Sequence, residues 1–178
     1  MHIFDHTKHQ PVLRLRKATR ADTPLIARMH TQSWAAAYRG ILPDDFLDKQ
    51  APIERAAHWE KRMAELEAGE GIALIAELDA VPVGFVCLAN PDASGSVLVD
   101  NLHALPGYRG AGAGSAMLDA AKAWARGCGA SRLHLSVLED NRPAIGFYES
   151  RGWRFAARED DRMGGIDLFS LVYTYELD

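Results

Sequence analysis

Apolar residues along this chain change their spacing from block to block, and each change marks an element. Val12 to Lys17 alternates apolar and basic positions, the period of a half-buried strand. Leu25, Ile26, Met29, Trp34 and Ala37 then recur near helical spacing behind Thr19 and Asp22, either of which can cap a helix. Gly40 and Pro43 interrupt that pattern within "YRGILPDDF", and a second helix is predicted from Ile53 to Leu66, closed by Gly69 and Gly71. "IALIAEL" and "VPVGFVCLA" are two apolar runs joined by "DA", which predicts a hairpin with Gly84 at a bulge or a close approach.

"SVLVDNLHAL" reads as a further strand. From Ser115 to Arg126, residues Met117, Leu118, Ala121, Trp124 and Ala125 form one apolar helical face stopped by Gly127 and Gly129. "RLHLSVL" is a short strand. "NRPAIGFYESRGW" then has Asn141 as a helix cap, Pro143 in the first turn and Gly152 at the end. Strands from Trp153 to Arg158 and from Leu168 to Leu177 close the chain. The expected fold is mixed α/β: about seven strands flanked by about four helices.

At 178 residues, 48% of them apolar, the chain suits one domain over 12–178, with residues 1–11 expected to be mobile. Twenty basic against 24 acidic residues, net −4, provide no field for nucleic acid, so no such partner is expected. No apolar run reaches the roughly 18 residues of a membrane span, and the opening decapeptide lacks the apolar stretch of a signal peptide. A cytoplasmic protein without membrane association is therefore expected. Cys87 and Cys128 form neither a disulfide framework nor a zinc pair. His2, His6 and His9 have no carboxylate or cysteine support, so no metal is expected.

The chemistry is concentrated in "NLHALPGYRGAGAGSAML". A strand that enters a glycine-rich loop opening a helix is an anion site, since the first-turn amides have no intrahelical acceptors and the helix dipole is positive there. The loop lacks the GK[ST] ending of a Walker motif, and the glycines at 110, 112 and 114 miss the G-x-G-x-x-G spacing of a dinucleotide fingerprint. A nucleotide-binding module of another fold is the less favoured reading.

Arg109-Gly110-Ala111-Gly112-Ala113-Gly114 resembles the R/Q-x-x-G-x-G/A signature of the GNAT family of N-acetyltransferases. Asn141-x-x-Ala144-x-x-x-Tyr148 followed by Gly152 is similar to that family's next motif. The resemblance runs from about Val12 onward and implies a GNAT-like acyl-CoA N-acyltransferase fold. It implies an enzyme that moves the acetyl group of acetyl-CoA to a primary amine, on a small molecule or a protein, by direct attack in a ternary complex. Arg109, Gly110, Ala111, Gly112, Ala113, Gly114 and Ser115 would hold the coenzyme pyrophosphate, and Leu102, His103 and Ala104 would pair with the pantetheine arm. Asn141 would bond toward the coenzyme, and Tyr148 would both touch it and protonate the departing thiolate.

Some family members carry a glutamate on the strand before Asn141, at the position held here by Ser136. Asp100 and His134, with His103 or a relayed water, are the substitutes for a general base. A non-catalytic acyl-CoA sensor is the alternative that this serine leaves open. Trp34, Tyr38 and Arg39 are candidates for the acceptor pocket, an arginine there suiting a carboxylate or phosphate. The alternating terminal strand "LFSLVYTYEL" either meets a second copy, as in a homodimer, or folds onto its own sheet.

Overall fold

The computed structural model describes residues 9–108 and 110–178. Residues 1–8, most of the N-terminal segment expected to be mobile, lie outside the described residues, as does Arg109 of the glycine loop. The strands are β1 (Leu13–Lys17), β2 (Ile72–Leu78), β3 (Val81–Leu88), β4 (Ser96–Ala104), β5 (Arg132–Leu138), β6 (Arg154–Met163) and β7 (Ile166–Glu176). The helices are α1 (Thr23–Ala37), α2 (Ala51–Glu67), α3 (Ala113–Gly127) and α4 (Arg142–Glu149). A π-helical turn over Phe46–Gln50 leads into α2.

All seven strands form one sheet in the order β1-β2-β3-β4-β5-β7-β6. Every pairing is antiparallel except β4 with β5. β7 lies between β5 and β6, so the terminal strand folds onto its own sheet with both edges taken.

Both faces of the central strands are covered, which explains why β3 is apolar almost without interruption. Val83, Val86 and Leu88 join Met117, Leu118, Ala121 and Ala125 of α3 in one cluster. Phe85 and Cys87 point the other way, into Ile26 and Met29 of α1 and Trp59 and Met63 of α2. A third cluster gathers Trp34, Tyr38, Leu42, Phe46, Leu47 and Leu138, with Met163 and Leu168 of the last hairpin packed onto it.

Two irregularities set the geometry of β4. Ala76 faces Gly84 and Glu77 faces Pro82, so Val83 is the extra residue of a bulge. Gly84 also permits a close approach, because a Cβ there would sit 2.5 Å from the carbonyl oxygen of His103 and 3.3 Å from Ala104 Cα. Cys87 faces Asn101 and Leu88 faces Val99, leaving Asp100 as the extra residue in β4. A bulge of this kind exchanges the two faces of a strand. Val97 and Val99 before it, and Leu102 and Ala104 after it, all pack on the α3 side. His103 is thereby turned toward α1, its ring 4.6 Å from that of His30 and 5.4 Å from that of Phe85.

The last hairpin is longer than the sequence pattern predicts. β6 continues through the charged stretch to Met163, and β7 begins at Ile166. Gly164 and Gly165, with φ of +60° and +76°, make the two-residue turn, a geometry that needs left-handed residues. The charges of "REDDRM" are compatible with a strand because β6 is the edge of the sheet. Gly164 also lies against the ring of Phe46, where a Cβ would approach to 2.8 Å.

Gly84→Ala is expected to destabilise the fold by about 1–3 kcal/mol through overpacking against the β4 backbone, read as a lower urea midpoint at unchanged m-value. His30 is buried and its pKa is driven far below the ordinary histidine value, first by burial and then by the charges of His103, Arg55 and His58. The unfolded chain therefore binds a proton that the folded chain refuses, so stability falls as pH drops below about 6.5, by up to about 1.4 kcal/mol per pH unit. Urea titrations from pH 7 to pH 5 should show that decline, with a shallower slope in His30→Gln.

Candidate active site

β4 and β5 pair only at Ser96 with Arg132, Val97 with Leu133 and Leu98 with His134. Beyond that point β5 stays with β7 as far as Leu138, and β4 stays with β3 as far as Ala104. The two parallel strands therefore part, and a cleft of about 580 Å³ opens between them. Along it, the edge of β4 that faces β5 has no strand partner among the described residues, which leaves backbone donors and acceptors open to an extended ligand.

At one end the cleft reaches the glycine loop. Gly110 and Gly112 have φ of +87° and +83°, a region that other residues rarely adopt. Gly112 caps α3. The amides of Ala113, Gly114 and Ser115 then fall in the first turn, where the helix supplies no acceptor. Gly114 allows α4 to pack close, since a Cβ there would lie 2.9 Å from the Phe147 ring. Arg151 adds a cation beside the loop: its Nη2 donates to Ser115 Oγ at 2.8 Å and its guanidinium stacks 3.8 Å from the Phe147 ring centre.

The far wall comes from α4 and from the third apolar cluster. Asn141 caps α4, its Oδ1 accepting the Ala144 amide proton at 3.4 Å. Two turns further, Tyr148 lines the cleft and is 7% exposed, its ring against Phe147 and Trp153. Burial, with the neighbouring Tyr38 adding to it, pushes the Tyr148 phenol well above its ordinary pKa. Burial raises Tyr38 to about 12, with the Asn141 side chain pulling against it and the Asp161 charge adding to it.

On the α1 side, Ser33 Oγ and His103 Nδ1 are 2.8 Å apart, and both residues line the cleft. Behind them Trp59 Nε1 donates to His30 Nδ1 at 2.9 Å. Burial, and then the Arg55 charge, lower His103 to a pKa of about 4, so its imidazole is neutral at physiological pH.

The residues singled out in the sequence separate into three groups. Leu102, His103, Ala104, Gly110, Gly112, Ala113, Gly114, Ser115, Asn141, Tyr148, Asp100, Trp34 and Tyr38 all line this one cleft. Ala111 belongs to the loop but not to the lining, its amide donating to the Tyr108 carbonyl. His134 and Arg39 lie elsewhere. His134 sits where β4 and β5 are still paired, its Nδ1 on Ser96 Oγ, and Arg39 is bound at the surface by Asp44 and Asp48. Asp100 is partly offset by Arg62, whose Nε is 4.0 Å away.

Two charged residues of the cleft escape a reading of the sequence. Arg151 lies three residues beyond Tyr148 and four beyond Phe147, a helical spacing that could have flagged it. Asp161 belongs to the stretch between the two predicted terminal strands. The adjacent Gly164-Gly165 pair was the available sign of a tight hairpin whose strands extend that far.

Comparison with known proteins agrees with this geometry. The family model described as "Acetyltransferase (GNAT) family" matches residues 31–153. The uncharacterized N-acetyltransferase YhfO of Bacillus subtilis is 31% identical over 145 residues, covering 79% of this chain and 89% of its own length. In fold, the chain is similar to the PaiA N-acetyltransferase of Thermoplasma acidophilum, solved in complex with coenzyme A. That likeness has a TM-score of 0.77 at 17% identity and covers 93% of this chain and 99% of that one. It is also similar to YncA of Salmonella typhimurium, a putative acetyltransferase solved with its cofactor acetyl-CoA, at TM-score 0.68 and 21% identity over 93% and 94% of the two chains. The parted strands, the glycine loop that opens α3 and the matched family model together make this chain a member of the GNAT family, an acyl-CoA-dependent N-acetyltransferase.

Proposed function

We propose that the enzyme transfers the acetyl group of acetyl-CoA to a primary amine by direct attack while both substrates occupy the cleft. The observation that carries this reading is the continuity of one cleft from the bare amides of the glycine loop, past the open edge of β4, to Tyr148. The amides of Ala113 to Ser115 and the Arg151 guanidinium receive the pyrophosphate. Leu102, His103 and Ala104 offer backbone groups to the pantetheine amides. A β4 amide directed at the thioester carbonyl stabilises the oxyanion that forms as the amine adds.

Tyr148 acts at the leaving group. Its raised pKa keeps the phenol protonated throughout the physiological range. The same shift makes complete proton transfer uphill until negative charge has built on sulfur, so the hydroxyl first donates a hydrogen bond and gives up its proton as the C–S bond breaks. The proton released from nitrogen as the amide forms restores the phenol. Ser136 lines the cleft but is a poor base, and His103 is neutral and tied to Ser33.

Calorimetric titration should show selective binding of acetyl-CoA over ATP and NAD, and Arg151→Met should weaken it about tenfold, the size of one lost charge-assisted contact. Binding without acetyl transfer to any amine would favour the sensor reading instead. Tyr148→Phe is expected to lower kcat about 100-fold while leaving the acetyl-CoA Kd within about threefold. Because His103 titrates at about 4 and Tyr148 above its usual range, neither should shape the pH–rate profile between pH 5.5 and 9.

A further inference from the structure

Two aspartates line the cleft, and Asp100 has Arg62 Nε 4.0 Å away. Arg39 is paired with Asp44 and Asp48, Arg158 with Glu139, and Arg162 with Asp167. Asp161 lines the cleft and has no lysine or arginine within ion-pair distance among the described residues. Its Oδ2 accepts from Ser170 Oγ at 2.5 Å and its Oδ1 from the Arg162 amide at 2.7 Å. Ser170 is itself only 6% exposed. The carboxylate is therefore held in one orientation by its neighbours while its charge is left unbalanced.

Its surroundings identify what would balance it. The neighbouring wall is Tyr38, Leu138 and Met163, and the Asp161 charge is felt at the Tyr38 phenol, which in turn acts on Tyr148. Ser170, which holds the carboxylate, faces Leu138 at the end of β5, so Asp161 stands at the Leu138 end of the cleft, beside Tyr38. An uncompensated anion in a largely apolar pocket attracts a cation. The hairpin that carries it is fixed to the protein by Gly164 against Phe46, so the carboxylate is presented on a rigid element.

Resting on the acetyltransferase reading above, we propose that Asp161 is the counter-ion for the acceptor's ammonium group and takes its proton. One N–H bond of the docked ammonium breaks as an O–H bond forms on the carboxylate. The freed lone pair then forms the C–N bond while the thioester C–S bond breaks, and the Asp161 carboxyl returns its proton to water. The acceptor class that follows is a cationic primary amine with an apolar body, matching Tyr38, Leu138 and Met163.

The test compares two nucleophiles on wild type, Asp161→Asn and Asp161→Glu, following thiol release from acetyl-CoA. Phenethylamine and straight-chain alkylamines are cationic at neutral pH, whereas methoxyamine is a neutral nucleophile there. Asp161→Asn should lower kcat/KM for the cationic amines by about 100-fold and for methoxyamine by less than about threefold, with acetyl-CoA Kd unchanged. Asp161→Glu should recover part of the loss. Equal losses on both nucleophiles, or none on the cationic ones, would overturn the proposal. Wild-type protein that binds acetyl-CoA and acetylates methoxyamine but no cationic amine would also overturn it, leaving the acetyl-CoA reading intact. Failure of the wild type to bind acetyl-CoA would instead remove the proposed function itself.

Discussion

The parting of β4 from β5 is the constraint on which the rest of the molecule depends. A parallel pair joined by three facing residues supplies little ladder energy of its own, so each strand is held mainly by its other neighbour, β3 on one side and β7 on the other. The bulge at Asp100 and the close contact of Gly84 with the His103 carbonyl fix where β4 runs. The third apolar cluster closes the opening from the far end. A sheet that paired along its whole length would have no cleft, and the open backbone edge of β4 would be consumed by β5.

Charge is distributed along that cleft with a direction. Arg151 and the first-turn amides of α3 gather at the glycine-loop part of the cleft, while Asp161 lies at the Leu138 end of β5. In the proposed reaction, an anionic coenzyme terminus would be drawn to the first region and a cationic acceptor to the second. The low polarity of the walls strengthens both ends, because charges there are less screened than at the surface.

The α1 side shows how polar groups are accommodated beneath the site. His30, Trp59, Ser33 and His103 lie in a connected layer between the helices and the sheet. Burial holds both histidines neutral at physiological pH, so the layer supports the β4 backbone without adding charge. Its dependence on β4's bulge is direct, since without the extra Asp100 the face of His103 would be exchanged with that of Leu102.

Local grammar decided much of this protein. The cap at Asn141, the left-handed glycines at 110 and 112, the alternation of β1 and the helical faces of α1 and α3 follow from residue chemistry within a few positions, so they are legible in the amino-acid sequence. The glycine loop and the Asn141 to Tyr148 spacing carried the family resemblance for the same reason. Helical spacing and the glycine pair hint at Arg151 and Asp161, but the sequence does not place them in a cleft, because a charged side chain reads the same whether it faces water or a cleft. What gives each its place is contact across distant sequence: Ser115 against Arg151, Ser170 against Asp161, and Phe46 against Gly164. His134 and Arg39 illustrate the converse, residues of suitable chemistry that Ser96 and two aspartates engage away from the cleft. Tertiary packing alone decides which polar groups are satisfied by neighbours and which are left facing a substrate.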